Sequence, residues 1–348
     1  MNFHNRDAVQ IENEKIRLTV LKEGGHITEI LHKETGLSPL WIPPWKSLEP
    51  SQYDPATHPE YGSNGESKLL AGLMGHNLCL DLFGPPSEDE ASAGITVHGE
   101  ASVIRYAIES NKDELRAAAT LPLSALKLTR DIKLGENGTT VQVTETVENL
   151  TALDRPIAWT QHVTLGPPFL EHGVTQFAVS AARSRTFEGQ FGNTALLAGA
   201  DFCWPFAPTR NQGTIDLRRF TNARKSAGFT THLMDPARPT AFFAAYNPSL
   251  PLLFGCRWKR DDFPWLGIWE ENRSRTSAPW NGQTVALGME FGASPFPETR
   301  RQMIERNRLF DTPAYRWLPA RSRITVSYSF SIQQAGGSGE TFDPKIPD

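Results

Sequence analysis

One carboxylate and two imidazoles stand out in this chain by where they fall. Glu290 lies in Gly288-Met289-Glu290-Phe291-Gly292-Ala293-Ser294-Pro295-Phe296-Pro297, between an apolar run that begins at Val285 and a Gly/Ser/Pro turn. A carboxylate in such surroundings either finds partners or is pushed toward neutrality, and both outcomes suit proton transfer. His98, in Thr96-Val97-His98-Gly99-Glu100, closes a short apolar run before a glycine that lets another backbone or a ligand come near. His162 follows Trp159-Thr160-Gln161, where alternation puts Thr160, His162 and Thr164 on one strand face and Trp159, Gln161 and Val163 on the other. That polar stripe faces either solvent or a cleft. Histidine is the side chain that gives a proton most readily near neutrality, and a glutamate can take one. Together they could protonate one oxygen of a substrate while deprotonating another, which is what opening a cyclic hemiacetal requires.

The aromatic content fits a sugar as that substrate. Trp258, Trp265, Trp269 and Trp280 fall within 23 residues, interleaved with charged side chains that include Glu270, Glu271, Arg273 and Arg275. Indole faces cover the CH face of a pyranose, while carboxylates and guanidinium groups bond its hydroxyls. Trp258 and Trp265 fit a packed core equally well; Trp269-Glu270-Glu271-Asn272-Arg273 is harder to explain by packing alone, and its residues are candidate sugar-binding groups. Arg273 and Arg275 would suit an anionic substituent. No HExxH, paired Cys/His or calcium-loop spacing points to a metal, and there is no phosphate-binding glycine loop or GxSxG elbow.

These groups must be held by strands, because the period is strand-like almost throughout. Residues 15–21 alternate, break at Gly24-Gly25 and resume over 26–31 as a hairpin. Further alternating runs cover 102–109, 114–121, 127–134, 139–148, 157–165, 239–246, 252–258 and 323–332. The spacing predicts one short amphipathic helix over 298–309, with Met303, Ile304 and Leu309 on one side. Long Pro/Gly/Ser-rich loops at 43–68 and 84–94 are candidate lids or binding loops. The expectation is an all-β protein, a large antiparallel sandwich forming a single domain over 1–334, with a flexible tail at 335–348.

The 348 residues carry a formal net charge of −4 and no block of like charge, so neither nucleic acid nor an anionic membrane is an expected partner. There is no signal-like start and no membrane-length apolar run, which makes cytoplasmic the expected location. Cys79, Cys203 and Cys256 read as reduced, buried side chains, and the three glycosylation sequons as chance.

With these residues in place, the chain resembles the aldose 1-epimerase (galactose mutarotase-like) superfamily over about residues 9–332. The resemblance runs from Gly24-Gly25-His26-Ile27 through His98-Gly99, then Val147-Glu148-Asn149-Leu150 leading to Thr160-Gln161-His162. It continues to the strand of Glu290 and to Pro319-Ala320-Arg321-Ser322-Arg323 before the last strand. It implies a β-supersandwich enzyme that uses no cofactor, acts on a small-molecule sugar and is a monomer or homodimer. In that reading His162 is the general acid on the ring oxygen, Glu290 the general base on the anomeric hydroxyl, and His98 the second histidine at the ring oxygen. Glu270 and Glu271 are rivals for the base. The family's Asn-Arg element before the first histidine has no counterpart; Gly75-His76-Asn77-Leu78-Cys79-Leu80-Asp81 stands there, so His76 and Asp81 become candidate substrate-binding residues. The family's sugar-binding aspartate has only loose matches in Asp216 and Asp235. The same scaffold also carries sugar-binding proteins without catalysis and, in other enzymes, glycoside hydrolase or lyase activity.

Overall fold

A computed structural model describes residues 1–335 apart from 137, 190 and 191. Alternation over Glu114–Leu121, Leu126–Leu134 and Thr140–Asn149 builds consecutive antiparallel ladders, and Arg323–Gln334 pairs with Thr140–Asn149 from the far end of the chain. These strands, with Leu252–Lys259, Thr240–Asn247, Gln176–Val179 and Ala107–Ser110, form an eight-stranded sheet. A twelve-stranded sheet lies against it. Its central order is His76–Asp81, Arg155–Leu165, Val285–Gly292, Trp265–Asn272 and Ser226–Met234, all antiparallel. The two sheets share one large apolar core that takes Leu128, Val143 and Phe330 from one side and Val163, Met289 and Phe291 from the other. Trp258 belongs to this core, stacked on Phe291 with ring centroids 4.3 Å apart. The protein is therefore all-β and a large antiparallel sandwich.

Several sequence expectations need correction. The run expected at 102–109 gives a strand only over Ala107–Ser110, because Glu100–Ser102 turns as a 3-10 helix. The late helix is shorter than its pattern, Arg300–Arg306, opened by a capping box in which Thr299 and Gln302 bond each other's backbone amides. Met303 packs inward, but Ile304 is exposed. Cys203 is exposed, whereas Cys79 and Cys256 are buried. The loop at 43–68 carries two single-turn 3-10 helices and leads into the helix Ser67–Gly72, and the loop at 84–94 holds the short helix Glu88–Ser92. Of the expected tail only Ala335 is described; residues 336–348 lie outside the described residues. No helix among the described residues is long and apolar enough to cross a membrane.

A buried polar network crosses the core beneath the central strands. Arg130 and Glu145, both essentially inaccessible, pair at 2.7 Å. Trp159 Nε1 and Gln161 Nε2 donate to the other carboxylate oxygen at 3.0 and 2.6 Å, and Arg130 Nη1 donates to the Gly25 carbonyl at 2.7 Å. Elsewhere His26 and His232 are buried deeply enough that desolvation pushes each imidazole down to about 3. An unfolded imidazole binds its proton near 6.5. Between these values the unfolded state holds more protons, so stability falls as pH drops, by up to about 1.4 kcal/mol per pH unit for each such histidine. His232 bonds Ser184 Oγ and Thr230 Oγ1, partners that a glutamine could keep. In His232→Gln the loss of unfolding free energy between pH 7 and 5, measured by urea titration, is expected to be smaller than in the parent by about 1–2 kcal/mol. An equal loss would show that this imidazole titrates normally.

Candidate active site

Register places the acid and base candidates side by side. Arg155–Leu165 and Val285–Gly292 pair so that His162 stands directly opposite Glu290, with both side chains on the sheet face away from the main core. His162 Nε2 lies 3.0 Å from Glu290 Oε1, and its Nδ1 is 3.1 Å from Thr164 Oγ1, so both ring nitrogens are oriented. The carboxylate in the apolar strand has found its partner. Glycine makes the room for it: the pairing partner of Glu290 on the other side is Gly267, and Gly288 lies two residues back on the same face. A Cβ built on Gly288 would collide with Glu290 Oε1. Gly288→Ala is therefore expected to keep the fold but displace the carboxylate, lowering turnover by about 10- to 100-fold, since misplacement by an ångström costs up to that much. Wild-type turnover with an unchanged thermal midpoint would show that Glu290 need not occupy this position.

His98 reaches the same place from the loop side. Its backbone is left-handed (φ 67°), and Gly99 packs so tightly under Leu80 that a Cβ would strike the Leu80 carbonyl. The ring of His98 stacks on Phe83 and meets the ring of His162 edge-on at 5.2 Å. Its Nδ1 donates to the Phe83 carbonyl at 2.6 Å, and burial, with His162 and Arg275 near, pushes the imidazole down to about 3. A neutral ring protonated at Nδ1 leaves Nε2 as an acceptor. In that tautomer His98 can accept a hydrogen bond from a hydroxyl at Nε2; the resemblance implied a histidine supporting the ring oxygen.

His98, His162 and Glu290 line one cavity of about 320 Å³. Trp269 and Trp280 form an aromatic wall, with the Trp269 ring 5.7 Å from that of His162. Phe187 and Phe229 continue it, and Leu69, Leu70, Leu73 and Val97 make an aliphatic wall. Both loops singled out in the sequence contribute, through Glu66 on one side and Gly84 and Pro85 on the other. Arg275 is the cavity's guanidinium. It lies over Trp280 at 4.6 Å and is held by Glu66 at 3.3 Å and Glu271 at 3.5 Å.

Other sequence candidates fall elsewhere. His76 is fully buried on the core face, its Nε2 bonded to Gln161 Oε1 at 2.9 Å and its ring against Phe330, so it is structural and not a substrate ligand. Asp81 is buried between two guanidinium groups, Arg155 at 2.8 Å and Arg300 at 2.9 Å, which use both its oxygens and tie the late helix to the sheet. Strand alternation separates Glu270 from Trp269. Glu270 points to the opposite face, bonds Ser226 and lines a different cavity of about 250 Å³, with burial raising its carboxyl above the usual range. Glu271 keeps to the near face but accepts the amides of Ser274 and Arg275 at 2.6 and 3.1 Å, below the cavity lining. Neither rival carboxylate lines the cavity with the histidines; Glu290 does. Arg273 is exposed and outside the cavity; Asp216, paired with Arg218, and Asp235 are half-buried and also outside it. Glu66, Phe187 and Phe229 line the cavity although no motif marks them in the sequence, and Arg275, expected to suit an anionic group, is paired with carboxylates instead. No grouping of three or more potential metal-ligating side chains occurs among the described residues.

No family model matches the sequence, and no curated protein matches it. Solved structures do. The chain is similar to a candidate aldose 1-epimerase from Klebsiella pneumoniae, at 12% identity and a TM-score of 0.66 over 92% of this chain and 77% of that one. It is also similar to a candidate aldose 1-epimerase from Escherichia coli (13% identity, TM-score 0.61, 94% and 99% covered) and to a galactose mutarotase-like protein from Lactobacillus casei (13%, 0.59, 94% and 100%). A twelve-stranded sheet packed on an eight-stranded one, superposing over 92–94% of this chain, gives it the same fold as these aldose 1-epimerase-like and galactose mutarotase-like structures.

Proposed function

We propose that the protein is a cofactor-free aldose 1-epimerase that interconverts the anomers of a sugar. The observation that carries the reading is the His162–Glu290 pair at 3.0 Å in the floor of an aromatic-walled cavity with His98 beside it. Opening a pyranose needs a proton taken from O1 and a proton given to the ring oxygen. Starting from protonated His162 beside the Glu290 carboxylate, Glu290 accepts the O1 proton, the C1 to ring-oxygen bond breaks, and His162 Nε2 gives its proton to the departing oxygen. Rotation about C1–C2 presents the other carbonyl face, and the same transfers in reverse close the ring. His98 Nε2 accepts a neighbouring hydroxyl, and Trp269 covers a CH face. Hydrolysis of a glycosidic bond is less well served, because it needs two carboxylates flanking the bond and Glu66, the other carboxylate of this cavity, is engaged by Arg275.

Saturation-transfer NMR between anomers of a panel of aldoses tests the reading. Exchange above the buffer rate in proportion to enzyme concentration is expected. Line broadening without faster exchange would instead establish a sugar-binding protein without catalysis.

A further inference from the structure

The walls of this cavity differ from what a fully hydroxylated hexose needs. A pyranose buried there must pair each desolvated hydroxyl or lose the hydrogen bond that it had with water. His162 and Glu290 are taken up by O1 and the ring oxygen, which leaves His98 Nε2 and the Glu66 carboxylate oxygen not bonded to Arg275 as the side-chain acceptors for further hydroxyls. Arg275 is already matched by Glu66 and Glu271 and lies flat on Trp280. Leu69, Leu70, Leu73 and Val97 also line the cavity and offer no side-chain hydrogen bond at all. The three leucines are largely buried, on or just after the helix Ser67–Gly72, and the Val97 amide reaches the Gly65 carbonyl at 3.4 Å, so these side chains form one wall. With Arg275 neutralised and Arg273 outside, no unpaired Lys or Arg for a phosphate or carboxylate lines the cavity among the described residues.

We infer that the substrate is a neutral aldose that carries an apolar group in place of a free hydroxyl, a deoxygenated, O-alkylated or O-acylated sugar whose methyl or alkyl group packs on the Leu69–Leu70–Leu73–Val97 wall. This rests on the epimerase reading above and deepens it. An apolar pocket favours the group that fills it over a hydroxylated analogue by about tenfold to a hundredfold.

The test compares kcat/KM for anomer exchange of D-glucose and D-galactose with their 6-deoxy, 3-O-methyl and 6-O-acetyl derivatives and their 6-phosphates. At least one deoxygenated or substituted sugar is expected to exceed its parent hexose tenfold or more, and the phosphates are expected to fall below the parents. Parent hexoses or phosphates that exchange as fast as every apolar derivative would overturn the inference while leaving the epimerase reading intact. No acceleration of any sugar would remove both. Val97→Thr, nearly isosteric and half-buried, adds a hydroxyl to the wall and is expected to narrow the derivative-to-parent ratio about threefold. An unchanged ratio would overturn the assignment of this wall as the selecting contact.

Discussion

Replacing Glu290 by glutamine is expected to lower the enzyme-catalysed rate of anomer exchange by about 10²- to 10⁴-fold, the usual contribution of a positioned general base. Glutamine has the shape of glutamate and fits the space that Gly267 and Gly288 leave, so its amide oxygen can still face His162. What it cannot do is take the proton from O1. The loss should therefore fall on kcat, with sugar affinity, read from quenching of the Trp269 and Trp280 fluorescence, changed little. Glu290→Gln that turns over at the parental rate would end the assignment of Glu290 as base. A variant that loses affinity and rate together would mean that Glu290 mainly binds the sugar. Glu270→Gln provides the contrast: its carboxyl belongs to the other cavity, behind the sheet, and exchange should proceed within about twofold of the parent because no general-base contribution is removed.

The difference between those two glutamates was only half legible in the sequence. Glu290 could be singled out because an apolar strand and a Gly/Ser/Pro turn frame it, and His162 because its face carries threonines on both sides. Their pairing is a matter of register between strands more than a hundred residues apart, which no local pattern encodes. Strands of the eight-stranded sheet such as Glu114–Leu121 and Arg323–Gln334 announce themselves by alternation, since one face is solvated. The central strands His76–Asp81 and Ser226–Met234 do not. Nearly every residue in them is buried, one face under the second sheet and the other under the site's covering loops, so polar and apolar residues do not alternate with exposure. That is why the sequence offers His76 as a candidate ligand and gives no sign of Phe229. Asp81 differs from its sequence expectation for a related reason: its partners Arg155 and Arg300 lie 74 and 219 residues further along the chain, and only the fold brings them together. Arg275 was legible as a cation but not as a neutralised one, because Glu66 lies 209 residues away from it in the sequence.

The same long-range pairing sets the largest expected change in stability, in Arg130→Met. Removing the guanidinium leaves Glu145 fully buried with only neutral donors, Trp159, Gln161 and Tyr328, beside it. Breaking one half of a buried ion pair costs about 3–5 kcal/mol, because the remaining charge has neither water nor counter-ion. Urea unfolding of Arg130→Met should show a loss of that size, with the slope of free energy against denaturant unchanged. Adding Glu145→Gln to Arg130→Met removes the stranded charge while keeping an oxygen for the indole and amide donors. The double variant is therefore expected to recover most of the loss, since replacing a buried pair by neutral groups is often nearly neutral. A loss below about 1 kcal/mol in the single variant would show that the pair is hydrated in solution. A double variant no better than the single one would place the cost in lost packing and in the Gly25 contact instead. The functional readout follows from the chain of bonds: Glu145 holds Gln161, and Gln161 is the backbone neighbour of His162. If the network serves only stability, the double variant should recover folding and turnover in parallel. If it also sets the strand that presents His162, folding should return while turnover stays low.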